Sequence, residues 1–394
     1  MNIRTPRRSS ISFAVAVTIA VAASVSSASH AAAPIRDSDA GNDVVIRNVR
    51  VFDGMRVLPK AEVLVIDGHI AAVGTRVKAP EGIAQIDGSG KTLLPGLIDA
   101  HAHSWGDAQR DALRFGVTAE LDMLGDWNRL PALKTRRESL ARSDEADLWS
   151  AGAAVTAPGG HGTQYGMKVP TLSADDDPTA FVAARVAEGS DYIKLILEDF
   201  SAHSDTRRIP TITAAQAKIA IAAAHSADKL AVVHVSRLRD GQAAIDAGAD
   251  GLVHIFGEPG DAAFVAAAKK RKAFVIPTLS VLATMAPAGE GRALSDDARL
   301  KPWLAGAQID TLKATFGAAA PKPAILADAI ANVRALHAAG VDILAGTDAG
   351  NPGTAHGARR QHARRTRTAG ARRAHAGRSA GCGDIGARAP LQTG

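Results

Sequence analysis

The 394-residue chain has a single cysteine, Cys382. No disulfide can therefore close within it, which excludes the small scaffolds that depend on disulfide staples. Aromatic residues make up 4% of the chain and only two are tyrosines. The core must then rest on aliphatic and alanine packing, and a platform of stacked aromatics for nucleic acid is missing. The apolar stretch "ISFAVAVTIAVAA" near the start falls short of the roughly 20 residues that span a bilayer. No repeat with a period of 20–50 residues is present, which argues against solenoids and propellers.

The 46 basic and 40 acidic residues are unevenly placed. Residues 1–33 hold Arg4, Arg7 and Arg8, then the short apolar stretch, then the small-residue segment "SSASHAAA". That order reads as a secretory signal peptide cut near Ala31 or Ala33 and predicts a periplasmic or secreted protein with no stable membrane anchor. Residues 358–394 carry nine arginines, one acidic residue and Cys382. They show neither helical nor strand periodicity and cannot bury a core. Without interleaved aromatics they do not predict a nucleic-acid partner. The body between these ends, residues 34–357, holds 34 basic against 39 acidic residues, a balance of about −5.

The body divides by its rhythm. From 43 to 93, short alternating runs such as "DVVIRNVRVFDG" and "AEVLVIDGHIAAVG" are separated by Asp-Gly and Gly turns. These are hairpin signals and predict a small β domain, a β-sandwich over 34–93. From 94 to 357 apolar runs follow one another: "GLIDAHAH", "VTAELDM", "LWSAGAAVTA", "DYIKLIL", "LAVVHVS", "DGLVHI", "AFVIPTL" and "VDILAGTD". Ala-rich helical intervals at 178–189, 213–228, 238–248, 261–270 and 324–339 separate most of them. Eight strands in βα alternation predict an α/β fold, a (β/α)8 barrel. The stretch 281–322 reads as an insertion after the seventh strand.

The ionisable residues of these runs sit at their C-terminal ends, where such barrels carry their chemistry. His101 and His103 end the first, two residues apart and so on one face of a strand. Lys194 lies in the fourth, His234 ends the fifth, His254 the sixth and Asp348 the eighth. Taken singly, each has a structural explanation. Six in barrel order read as a metal site.

The motifs "TLLPGLIDAHAH" and "GTDAG", with this ordered set, resemble the amidohydrolase superfamily over residues 43–357, and within it the imidazolonepropionase-related and prolidase-type dipeptidase branch. The resemblance implies two Zn2+ or similar divalent ions. His101 and His103 would bind one, His234 and His254 the other, Lys194 carboxylated by CO2 would bridge both, and Asp348 would bind the first. A lysine buried between Ile193 and Leu195 loses its proton readily, as capture of CO2 requires. The implied chemistry is attack of a metal-bound hydroxide on a small-molecule amide or peptide, with Asp348 moving the proton. Deaminase and lactonase or esterase action use the same constellation and stay open, as does a non-catalytic product.

In "TAPGGHGTQYGMK", Gly159, Gly160 and Gly162 allow a tight turn that presents His161, and related enzymes carry a similar segment near the substrate carbonyl. Tyr165 and Arg237 are candidates for a substrate carboxylate. The fifth strand reads "HVSR" where the relatives read "HAHG", which weakens analogy of substrate while keeping His234 as a ligand. The relatives also continue past the eighth strand with a helix and further strands of the small β domain. The tail here reads instead as out of frame from about residue 358, which would leave the barrel incomplete at its C-terminus. Assembly of several copies is left open.

Overall fold

The structure, a computed structural model, describes residues 43–350 apart from 142, 166–167, 286–293, 305 and 314–323. The expected signal peptide and Arg-rich tail lie outside the described residues. Among the described residues, no helix is long and apolar enough to cross a membrane.

Residues 44–93 form one mixed sheet. Its strands are β1 (Val44–Phe52), β2 (Val57–Ile66), β3 (His69–Gly74), β4 (Ala84–Asp87) and β5 (Thr92–Leu93), in the order β3-β2-β1-β4 with β5 also on β1. Sequence reading expects two facing sheets here. Instead β4 and β5 pair parallel with β1 and extend its own sheet. The β2–β3 turn is Asp67-Gly68, with both residues at positive φ (49° and 73°), as a two-residue hairpin of matching twist requires. The Asp53 carboxylate accepts the N–H groups of Met55 and Arg56 and so closes the β1–β2 turn. A bulge at Asn48 (φ 55°) changes the face of β1. Val45 packs with Leu64 and Val77, whereas Val49 and Val51 pack with Ala61 and Val63.

The remaining strands are parallel and alternate with helices. β6 (Leu97–Ala102), β7 (Val117–Asp122) and β8 (Asp147–Ser150) form one sheet, and β9 (Ile193–Leu197), β10 (Ala231–Val235), β11 (Gly251–Val253) and β12 (Phe274–Ile276) another. Isolated parallel bridges at Val155–Leu195, Val275–Ile343 and Ala102–Ala349 join the sheets to each other and to the segment 341–349. Sequence reading expects a full strand in that segment. It runs with bridges only, and Gly346 lies so close to β6 that an added Cβ would fall 2.7 Å from the His101 Cβ. The expected third strand is likewise cut at Ser150, and Gly152 takes φ 62°.

Alternation sorts the strand residues. Ile193, Leu195, Leu197, Val233 and Val235 pack with helix residues such as Ile221 and Phe264. Val232, Val253, Ile276, Leu344, Leu121 and Ala100 pack with one another. Lys194 and His234 therefore point away from the helices. The helices follow local rules. The helix Ala214–Ser226 opens with a capping box between Thr213 and Gln216 and buries Ala217, Ala220, Ile221 and Ala224, one stripe at helical spacing. Pro178 starts the helix Pro178–Ala187, with the Asp177 carboxylate accepting from Thr179 and Ala180.

Candidate metal centre

His101, His254 and Asp348 each direct a ligand atom into a space where these atoms lie within 4.8 Å of one another. The backbone brings them there in three ways. On β6, Asp99 pairs with Glu120 and Ala102 with Asp122, so three steps on β6 oppose two on β7. This bulge turns His101 and His103 off the alternation set by Ala100. His254 follows β11 at φ 72° and Asp348 stands at φ 57°, both in the left-handed region that side chains other than glycine seldom adopt. Lys194 and His234 arrive by plain alternation.

The remaining residues close around these three. Asp348 Oδ1 is 3.1 Å from His103 Nε2 and 3.3 Å from His101 Nε2. The His254 ring lies 4.7 Å from that of His101 and 4.3 Å from that of His234. Lys194 is close enough for its charge to act on all four imidazoles.

Outer partners hold one nitrogen of several rings. His103 Nδ1 donates to the Leu124 carbonyl at 3.2 Å, which leaves Nε2 to face Asp348. His254 Nδ1 is hydrogen-bonded to Thr278 Oγ1 at 2.6 Å, and Thr278 also has positive φ (40°). His101 is fully buried, and neither of its ring nitrogens has a hydrogen-bond partner. A buried imidazole with two unanswered nitrogens is costly. A divalent cation held by His101, His103 and Asp348 would answer one of the two, and the donor set suits zinc and similar ions.

The electrostatics fit the same conclusion. Burial, followed by the charge of Lys194, lowers His101 to about 3. Burial lowers Lys194 to about 7, against the pull of Asp348 and Asp122. Burial also lowers His234 and His254. Burial would raise Asp348, yet the imidazoles around it hold it well below the usual carboxylate range. His103 is the exception. Burial would lower it, but its hydrogen bond to Asp348 raises it, so a proton can occupy the place between them when no cation does. Neutral imidazoles beside an ionised carboxylate are what a divalent ion needs.

Several supporting groups escape sequence reading. Asp99, fully buried, accepts from the N–H of His101 at 3.1 Å and of Thr347 at 2.8 Å, and also from the Thr347 hydroxyl. Asp122 accepts from Ser150 Oγ at 2.6 Å and from the Ser104 N–H, and its charge acts on His103. Glu198, four residues after Lys194, is buried beside His234. Each is acidic on an apolar strand or just past its end. That signal was available for Asp99, Glu120 and Asp122.

The glycine loop brings His161 to the centre, its ring 4.8 Å from that of His234 and 5.7 Å from Phe200. The Gly162 N–H donates to Gln164 Oε1 at 2.7 Å, so the Gln164 amide must turn its NH2 toward His161 Nδ1, 2.9 Å away. Nδ1 then accepts, and the ring hydrogen sits on Nε2. Burial, followed by His234, lowers His161 to about 3, so it presents a neutral N–H donor at pH 7. The Tyr165 ring is 6.0 Å from His161 and packs near Leu124 and Ile196. Arg237 donates to Glu258 at 3.0 Å and to Ser201 Oγ at 3.2 Å.

No family model matches the chain. Among curated proteins it is similar to an N-acetylglucosamine-6-phosphate deacetylase of Lysinibacillus sphaericus, 40% identical over 70 residues, 18% of this chain and 17% of that protein. It is also similar to a dihydroorotase of Mycobacterium tuberculosis (strain ATCC 25618 / H37Rv), 44% identical over 61 residues, 15% and 13% of the two chains. The matched segments thus span less than a fifth of these relatives. Among solved structures, a Xaa-Pro dipeptidase with bound methionine aligns with a TM-score of 0.56 at 18% identity, over 78% of this chain and 79% of that one. That likeness is one of fold. The curated matches add a likeness in sequence over those short segments alone.

Proposed function

We propose that the chain is a metal-dependent hydrolase that cleaves C–N bonds of small amides or peptides, with dipeptidase or carboxypeptidase-like specificity. The observation that carries this reading is the meeting of His101, His254 and Asp348 within 4.8 Å, with both His101 nitrogens buried and unanswered. The two parallel sheets and the bridged segment read as a (β/α)8 barrel, with the centre at its C-terminal mouth. His101, His103 and Asp348 would hold one divalent ion, zinc by preference, and His234 and His254 a second. Lys194, carboxylated by CO2, would lie between them. When bound, such ions activate a water and polarise a carbonyl.

The protein's own groups supply the rest. Asp348, held ionised, can take a proton from the attacking water and return it to the departing amine. His161 donates from Nε2 and so can bind a substrate carbonyl oxygen as negative charge develops there. With its hydrogen on Nε2 and its basicity lowered by burial, it is suited to donate there and not to take up a proton. Tyr165 and Arg237 are the candidates for a substrate carboxylate, and export to the periplasm or medium remains part of this reading.

Elemental analysis of the purified soluble chain, followed by a panel of dipeptides, N-acyl amino acids, lactones and aminated rings, tests it. About two zinc-class ions and amine release from dipeptides are expected. Ammonia release from aminated rings or turnover of lactones alone would replace amide cleavage by those activities. A chain that takes up no metal from zinc and bicarbonate would refute the reading.

A further inference from the structure

The Glu198 side chain is 2% exposed, and its two oxygens meet different fates. Oε1 accepts the backbone N–H of Phe200. Oε2 is buried without a hydrogen-bond partner and faces His234 Nε2 at 3.5 Å and His203 Nε2 at 3.6 Å. The Glu198 N–H donates to Thr211 Oγ1 at 3.2 Å, and Thr211 Oγ1 donates to the Ile196 carbonyl. Phe200 takes φ 64°. The carboxylate is thus pinned on a tight turn directly after β9, with one oxygen left over and aimed between two imidazoles. Among the described residues neither Lys nor Arg forms an ion pair with it.

We propose that Glu198 is a positioning residue for His234: it holds the ring hydrogen on Nε2 and so leaves Nδ1 as the nitrogen that binds metal. This rests on the proposed metal centre. A carboxylate oxygen can only accept, so a neutral His234 facing it carries its hydrogen on Nε2. The same division of labour is visible elsewhere, since Leu124 holds Nδ1 of His103 and Thr278 that of His254. Without Glu198, His234 would, like His101, have no outer partner to choose its tautomer or fix its plane. His203, 28% exposed, flanks Oε2 from the solvent side.

The variant Glu198→Gln separates this role from simple support of the loop. The Gln oxygen must take over the Phe200 N–H, which turns the NH2 toward His234 Nε2. Nε2 then has to accept, the ring hydrogen moves to Nδ1, and the metal-binding nitrogen is blocked. The experiment is zinc titration of the metal-free wild type and Glu198→Gln against a chromophoric chelator, with circular dichroism as the check on folding. A folded Glu198→Gln whose affinity for one zinc equivalent falls about tenfold to a hundredfold, the other being unchanged, supports the proposal. Two equivalents bound with wild-type affinity overturn it. Where Glu198→Gln fails to fold, nitrogen NMR of histidine-labelled, metal-free wild type decides: hydrogen on His234 Nε2 supports the assignment, and hydrogen on Nδ1 overturns it. Wild-type protein that binds no zinc refutes the metal centre itself, and the NMR result still decides what Glu198 does to His234.

Discussion

Asp99 and Thr347 stand 248 residues apart in sequence, yet both the N–H and the hydroxyl of Thr347 donate to the Asp99 carboxylate. Asp99 also accepts from the N–H of His101, so one carboxylate joins the strand carrying the first histidine pair to the segment carrying Asp348. Replacing it by alanine strands two buried donors, the His101 N–H and the Thr347 hydroxyl, each costing about 1–3 kcal/mol, while the Thr347 N–H keeps the His101 carbonyl at 3.1 Å. Asp99→Ala should therefore lower stability by about 2 kcal/mol or more, and metal content should fall with it. Urea unfolding monitored beside elemental analysis checks both.

Gly346 has no room for a side chain. A Cβ there would lie 2.3 Å from Ile276 Cγ2, 2.7 Å from His101 Cβ and 2.9 Å from the His101 N, and the last of these cannot move without the strand. Gly346→Ala should cost about 1–3 kcal/mol through overpacking and displace Asp348 two residues on. A fall in kcat beyond any loss of folded protein, measured on the best amide substrate, is the expected signature. Unchanged kcat would detach Asp348 from the backbone at 346.

Glu120 makes stability depend on pH. Burial raises it to about 8, while the Ser104 hydroxyl donates to it at 2.6 Å. Below pH 4.5 it is protonated in folded and unfolded chains alike and adds no pH dependence. As pH rises toward 8 the unfolded chain releases this proton and the folded chain keeps it, so stability falls across that window and levels off above it. Glu120→Gln should match wild type at pH 4.5 and exceed it by about 2 kcal/mol or more at pH 9, since a tenfold difference in proton affinity between the two states is worth ~1.4 kcal/mol. Thermal unfolding at the two pH values tests this, and equal differences at both would refute it.

Lys194 should govern metal uptake. Lowered to about 7 by burial, it offers the neutral amine that CO2 requires only above that pH. Zinc uptake by the stripped protein should accelerate with bicarbonate at pH 8 and lose that dependence at pH 6. Lys194→Ala should show no bicarbonate effect at either pH, and short carboxylic acids should restore part of its uptake.

Removing metal should also lower the melting temperature, because an ion bound only by the folded chain stabilises it by mass action. Chelator-treated wild type should regain its melting temperature with zinc. His101→Ala should not, since the ring it loses is the one with both nitrogens unanswered.

The ligand candidates were readable because each breaks an apolar run at its C-terminal end. Lys194 and His234 needed only alternation, which the opposite packing of Leu195 and Val233 bears out. His254 and Asp348 needed more, since left-handed backbone turns them into the centre and no period of two or 3.6 foretells that. Glu198 and Thr278 stayed hidden for a different reason. Their partners, His234 and His254, lie 36 and 24 residues away, and a lone Glu or Thr after a strand reads as an ordinary turn residue. The hairpin of β2 and β3 in the sheet over 44–93 was legible through Asp67-Gly68. The single sheet was not, because parallel pairing of β4 and β5 with β1 leaves no local mark.

The bulge in β6 has a consequence for descent as well as for structure. One extra residue between Asp99 and Ala102 decides whether the histidine pair looks toward Asp348 or toward the helices. Deleting a residue there would return the strand to simple alternation and leave its apolar character almost unaltered. A protein of this fold can thus turn two of its six candidate metal ligands toward or away from the centre through one codon inserted or deleted, with every histidine still present in its sequence.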